Sequence, residues 1–269
     1  MEKMNLVDVH THLDSERFDN ERDEIVKRAK EAGVKFMITS GVNPTTNRTV
    51  LELSKKYSPI VKCSSGIYPI DGIANKLNSK TEEDNLRYVE KFDVDVELKW
   101  IEEHKNDCVA IGECGLDYKI IPGTEELQLE VFQKVIDLAK KIDKPLVTHS
   151  RKAELEVIGM LEKNSCKKVY MHCFGGKKAL VRRCVENGYF MSVPAVITRL
   201  EHFKMLVKLT PLTQLITETD APYLSPIAGT RNESKNVIYA IKEIAKIKGL
   251  SEVKVAKQIF NNAKTLFSL

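Results

Sequence analysis

The sequence predicts an α/β protein folded as a (β/α)8 TIM-like barrel, on three observations. Short β-branched runs alternate with amphipathic stretches along the whole chain. There are eight such β-then-α units, the number a closed parallel sheet needs, since parallel neighbours require helical crossovers. Imidazoles and carboxylates stand where the runs end, at His10, His12, Glu113, His149, His172 and Asp220. An open doubly wound sheet would keep the first and eighth runs apart, whereas a closed barrel gathers all these residues at its C-terminal rim. No repeat, low-complexity tract or linker divides the 269 residues, so one domain over 1–269 is expected.

In order, the strands are expected at residues 6–10, 35–40, 60–66, 108–113, 145–149, 168–172, 189–193 and 215–219. Each is a run of four to eight residues rich in Val, Ile and Thr. Stretches such as 21–32, 124–142 and 179–187 place apolar residues three and four apart and read as helices. The polar segment 71–107 is the longest connection and carries the only tryptophan, Trp100, in a helical pattern whose apolar stripe packs inward. A final helix over 251–267 is expected to cap the barrel.

Composition excludes several classes. Hydrophobic residues at 42% and charged residues at 30% describe an ordinary globular protein, and a net charge of +4 is too mild to argue for nucleic acid alone. No apolar run approaches the roughly 20 residues that cross a bilayer. The N-terminus lacks a signal-peptide pattern. The six cysteines form no C-x-x-C pair, so a cytoplasmic protein with reduced, buried thiols is expected. Cys114 and Cys173 adjoin candidate ligands but, by strand alternation, should face away from them.

His10 and His12 are two apart on one strand, so both rings project inward and can share one metal ion. Each histidine alone would read as an ordinary core or surface residue; six ligand-type residues at strand ends together point to metal binding. Glu113, midway round the barrel, can give one oxygen to each of two ions. His149 and His172 then serve the second ion. Asp220, next to the first strand across the closure, reaches the first and is placed as general base. Asp8 and Asp117 read as supporting groups that hydrogen-bond their neighbours. His104 and His202 lie in helical patterns in the outer ring, and Ser150 belongs to no triad. Two divalent ions (Mg, Mn or Zn) are the expected cofactors. For an anionic substrate, Arg151 is expected at a helix start, with Lys177 and Arg231 in rim loops.

The motifs DVHTHLD, IGECGLDY, THSR, HCFGG and ETDAPYLSP, with GTRNES and the terminal NNAKTLF, resemble the TatD family of metal-dependent deoxyribonucleases within the amidohydrolase superfamily. The resemblance runs from residue 4 to the C-terminus. It implies a distorted (β/α)8 barrel with two divalent ions held by His10, His12, Glu113, His149, His172 and Asp220. It also implies phosphodiester hydrolysis on DNA, often from the 3′ end. One departure is Tyr68, in GIYP, where the family commonly has G-x-H-P; a phenol there can donate a hydrogen bond to substrate but carries no positive charge. A glutamate in the fourth strand separates the chain from superfamily members with a carboxylated lysine bridge.

A 3′-end exodeoxyribonuclease on single-stranded or frayed ends is therefore expected. The rivals are a hydrolase of a carbonyl substrate (lactone, amide or aminoacyl ester), which the same ions could polarise, and a catalytically silent nucleic-acid-binding protein.

Overall fold

The computed structural model describes residues 4–77 and 90–269. Eight parallel strands hydrogen-bond in chain order: β1 (Leu6–Thr11), β2 (Val34–Ser40), β3 (Val61–Ser65), β4 (Ala110–Asp117), β5 (Leu146–Arg151), β6 (Val169–Met171), β7 (Phe190–Pro194) and β8 (Leu215–Glu218). Around them run α1 (Arg22–Glu31), α2 (Pro44–Lys56), α3 (Pro69–Gly72), α4 (Val94–Glu103), α5 (Glu125–Lys141), α6 (Glu154–Lys163), α7 (Lys178–Glu186), α8 (Glu201–Leu209), α9 (Val237–Lys248) and α10 (Glu252–Phe267). The strands are buried along nearly their whole length because helices cover their outer face and side chains fill the barrel.

Local chemistry sets the helices. Asn43 caps α2 in a reciprocal box with Thr46, and Pro44 occupies the first turn, where no N–H is needed. Seventeen-residue α5 turns Val131, Phe132, Val135, Ile136 and Ala139 onto the sheet at helical spacing. α10 lies against β1 and β8. Its Asn262 donates to the carbonyls of Leu212 and Leu215, both at 2.7 Å, and its Phe267 ring meets Tyr170 of β6 at 6.0 Å.

The seam between β8 and β1 closes through side chains as much as backbone. His12 N donates to Ala221 O (2.7 Å), Asp220 N to His10 O (2.9 Å) and Thr217 Oγ1 to Val7 O (2.7 Å). Fully buried Asp8 accepts from Thr219 N at 2.8 Å and from Thr219 Oγ1 at 2.6 Å. The carboxylate expected to support its neighbours thus ties the first strand to the eighth.

Three details differ from the sequence reading. β4 does not stop at Glu113 but continues to Asp117, with a register shift against β5 between Ile111 and Cys114. Gly112 and Gly115 permit it: both have φ near +140°, and a Cβ there would lie 2.5 Å from Val147 O and 2.0 Å from His149 O. β6 ends at Met171, leaving His172 and Cys173 in the following loop. Arg151 closes β5 rather than opening a helix, because Lys152 turns left-handed (φ 60°) and α6 starts only at Glu154. Trp100 does pack from a helix, with the Arg48 guanidinium 3.9 Å above its ring, but residues 78–89 of that long connection lie outside the described residues. All six cysteines are free, and among the described residues no helix is long and apolar enough to cross a membrane.

Asp8→Ala should lower stability by about 1–3 kcal/mol, since it removes the short acceptors of the buried Thr219 N–H and hydroxyl and leaves the N–H only a 3.4 Å contact with His10 O. Urea unfolding of metal-stripped protein checks this; an unchanged midpoint would show that the backbone bonds alone hold the seam.

Candidate metal centre and active site

Closure of the barrel places the β1 histidines beside Asp220. His10 Nε2 and His12 Nε2 stand 3.3 Å apart. Asp220 Oδ1 lies 3.8 and 3.5 Å from them, and Glu113 Oε2 3.5 and 3.8 Å. Four donors around an ion at bond lengths of about 2.0–2.1 Å would be separated by roughly 3.3–3.4 Å, so this quartet fits a divalent ion after small adjustments. The other oxygen of Glu113 turns the opposite way: Oε1 is 2.9 Å from His149 Nδ1 and 3.9 Å from His172 Nε2. One carboxylate therefore faces two pairs of imidazoles, one with each oxygen. His10, Glu113 and His172 form a further group whose ligand atoms lie within 4.8 Å of one another, as do those of His10, His12 and Asp220.

Three of the imidazoles have their distal nitrogen held from behind. His10 Nδ1 is 3.3 Å from both Tyr170 Oη and Ser40 Oγ; the tyrosine hydroxyl donates to Val9 O at 3.0 Å, which leaves its oxygen to accept from His10. His149 Nε2 meets Asp117 Oδ2 at 2.9 Å, and Tyr68 Oη donates to the same oxygen at 2.8 Å. His172 Nδ1 meets Glu218 Oε2 at 2.8 Å, while Glu218 Oε1 accepts from Cys173 N at 3.0 Å. Such partners fix which ring nitrogen carries the proton and so turn the other toward an ion.

The cluster is electrostatically coupled. Burial disfavours charge on His12, but hydrogen bonding to Asp220 and the charges of Asp220, Asp14 and Glu113 outweigh it and lift the imidazole to about 9. Burial likewise opposes charge on His172, yet Glu218, Glu113 and Asp220 raise it to about 10. His10 moves down, through burial and the neighbouring His172. Glu113 resists its own burial because His10 and His149 hydrogen-bond it and His172 adds charge, which holds it well below the usual carboxylate range. Asp220 is also held low against burial, by a hydrogen bond from His12 and the charges of His172, His10 and His12.

His12, Glu113, His149, His172 and Asp220 line an open cavity of about 1150 Å³, with His10 buried behind them. Arg151, exposed at the end of β5, lines it, as does Tyr68, whose hydroxyl is shared with Asp117 rather than turned wholly to the cavity. Lys177 is the exposed N-cap of α7 and lies outside the lining. Arg231 is also outside it. Its guanidinium is tied to Glu21 Oε2 (2.8 Å) and Arg17 O (2.7 Å) and lies over the Phe18 ring, captured by acidic neighbours that no local motif reveals. His104 ends α4 stacked on Trp100, and His202 of α8 meets Phe174 O. Cys173 lines the cavity, contrary to the alternation argument, because it sits past the strand with φ 42°. Cys114 stays buried, its Sγ 3.4 Å from Val147 O.

Sequence reasoning passed over three residues. Glu218 stands two before Asp220, a spacing that puts both on one side of an extended chain. Arg17, in a short 3-10 turn after β1, and Tyr223, in the loop after β8, reach the cavity rim, and only the adjacency of Tyr223 to Asp220 could have signalled it.

Residues 7–268 match the family model described as TatD related DNase. The chain belongs to the TatD-related DNase family. Deoxyribonuclease TATDN3 of Homo sapiens is 34% identical over 266 residues, covering 97% of this chain and 94% of the relative. The 3'-5' ssDNA/RNA exonuclease TatD of Erwinia amylovora is 29% identical over 275 residues, covering 98% and 100%. Among solved structures, the TatD homologue YJJV of Escherichia coli k12 superposes with a TM-score of 0.83 at 25% identity, covering 98% of both chains. The chain is thus a TatD-family metal-dependent hydrolase with a His/Glu/Asp metal-binding cluster at the mouth of a TIM-like barrel.

Two predictions follow from this geometry. Because His12 and His172 hold protons at neutral pH in the metal-free protein, loading metal must displace them, and apparent affinity should rise with pH toward 9–10. Calorimetric titration in buffers of different ionisation enthalpy should report proton release at pH 7; none would mean the imidazoles are already neutral. Separately, if His149 ligates metal, Asp117→Ala should weaken metal binding on that side by about 10–100-fold. Tyr68→Phe should cost only about 0.5–1.5 kcal/mol of the same binding energy. Equal effects on the His10–His12 side would discard this assignment.

Proposed function

We propose that this TatD-family protein is a two-metal phosphodiesterase, a 3′-end exodeoxyribonuclease acting on single-stranded or frayed DNA in the cytoplasm, within a single barrel domain. The observation that carries the reading is Glu113, whose two oxygens face different pairs of histidines. A lone structural ion would need no such division. The nuclease names of the human and Erwinia relatives support DNA as substrate, and the six free thiols fit a reducing compartment.

In this reading His10, His12 and Asp220 would hold one ion and His149 and His172 the other, with Glu113 shared between the two sites. Bound there, magnesium, manganese or zinc would lower the pKa of a water and neutralise charge on the phosphoryl oxygens. Asp220, kept ionised by its imidazole neighbours, takes the proton of the attacking water as the new P–O bond forms, and that proton passes to the departing ester oxygen, which leaves as a hydroxyl when the ester P–O bond breaks. Arg151, on the cavity wall, holds a non-bridging phosphate oxygen by a charge-assisted hydrogen bond. Lys177, farther out, adds positive field for an approaching strand. A strand end enters an open pit at a barrel mouth more readily than an intact duplex does.

Metal analysis should find two divalent ions per chain. Asp220→Asn should keep most metal while slowing turnover about 10²–10⁴-fold, the range for losing a general base; Glu113→Ala should lose both ions together. The deciding assay compares end-labelled single-stranded DNA, closed duplex, a lactone and an aminoacyl ester with metal-replete protein. Ester or lactone turnover that leaves DNA untouched would overturn the nuclease reading.

A further inference from the structure

The rim of the cavity carries a large aromatic ring for which the proposed chemistry gives no role. Tyr223 is 49% exposed, although it lines the same pit as the buried ligand cluster. It is placed there firmly: Tyr223 N donates to Asp220 O at 2.8 Å, so the ring sits one tight turn from Asp220. Its ring meets His12 edge-on at 6.2 Å. The Arg17 guanidinium lies 5.3 Å from its centroid and, among the described residues, has no carboxylate within salt-bridge distance. Leu224, next in the chain, also lines the pit.

An exposed ring beside a polar cavity gains little from packing, and a guanidinium stacked on it adds a second flat, cationic surface. Bases of any sequence bind such surfaces through their π-faces, and arginine adds charge for the neighbouring phosphate. We infer that Tyr223 and Arg17 form a subsite for the nucleotide flanking the scissile phosphate, with Tyr223 stacking the nucleobase and Arg17 serving the adjoining backbone phosphate. The inference rests on the DNA-hydrolase reading and adds to it. It makes the enzyme sensitive to the presence of a base at the cleaved end but tolerant of which base stands there.

The test uses full-length, metal-loaded protein and single-stranded oligonucleotides ending in either a normal nucleotide or a tetrahydrofuran abasic residue. Tyr223→Ala should weaken binding of the base-bearing end roughly ten- to hundredfold and leave the abasic end unchanged, while Tyr223→Phe restores wild-type behaviour. A terminal 2-aminopurine should be quenched on binding wild type and Tyr223→Phe but not Tyr223→Ala, a readout independent of turnover. Arg17→Ala should reduce the salt dependence of binding by about one phosphate's worth. Metal content of each variant is measured in parallel. If wild type hydrolyses DNA and Tyr223→Ala affects both ends equally, or neither, the subsite is overturned and the nuclease reading stands. If wild type hydrolyses no DNA, the nuclease reading itself fails.

Discussion

The Glu113 carboxylate is the group on which the centre depends. It is buried, and an isolated ionised carboxylate in that position would be strongly unfavourable. Imidazoles on both sides make it tolerable, and they can surround it only because eight strands converge there. Getting the carboxylate to the axis demands an irregular fourth strand. Gly112 and Gly115 supply it, since any side chain at either position would collide with the fifth strand. The backbone of IGECG is therefore shaped by the same requirement as its charge.

Closure is the second condition, and it links stability to chemistry. The hydrogen bonds that fasten β8 to β1 run through His10, His12, Asp220 and Thr219, which are candidate ligand positions or their immediate neighbours. Behind them, Tyr170 connects the floor to the site: its ring rests against Phe267 of the last helix and its hydroxyl lies under His10. A rotation of His10 would have to disturb Tyr170, and so the packing of α10. Ligands held this way lose little freedom when an ion binds, which favours affinity.

The fold was legible because parallel strands leave buried β-branched runs and their crossovers leave helical spacing, two signals that survive without tertiary context. His10, His12, Glu113, His149, His172 and Asp220 were legible for a related reason: polar residues closing apolar runs have few explanations. Arg231 was not. Its partner, Glu21, is over two hundred residues away, and an arginine in a loop looks the same whether or not a carboxylate has taken it. Cys173 and Arg151 were misplaced by one or two residues at strand ends, where periodicity gives out. The pairing of Asp117 with His149 and of Glu218 with His172 depends on which strands neighbour which, so only the assembled barrel names the partners.

Charge distribution closes the physical account. Glu113, Asp117, Glu218, Asp8 and Asp220 crowd the barrel mouth, while among the described residues no lysine or arginine is buried. Without metal, the compensating charge comes from imidazoles that hold protons well above their ordinary pKa. An anionic substrate meeting that floor finds mobile protons and carboxylates, a poor match for a phosphate. Replacement of those protons by divalent cations would offset the carboxylate charge more fully than the imidazolium protons do. In the proposed nuclease, metal loading and substrate attraction would then be one electrostatic event, with the exposed cations Arg151 and Arg17 at the rim adding to it.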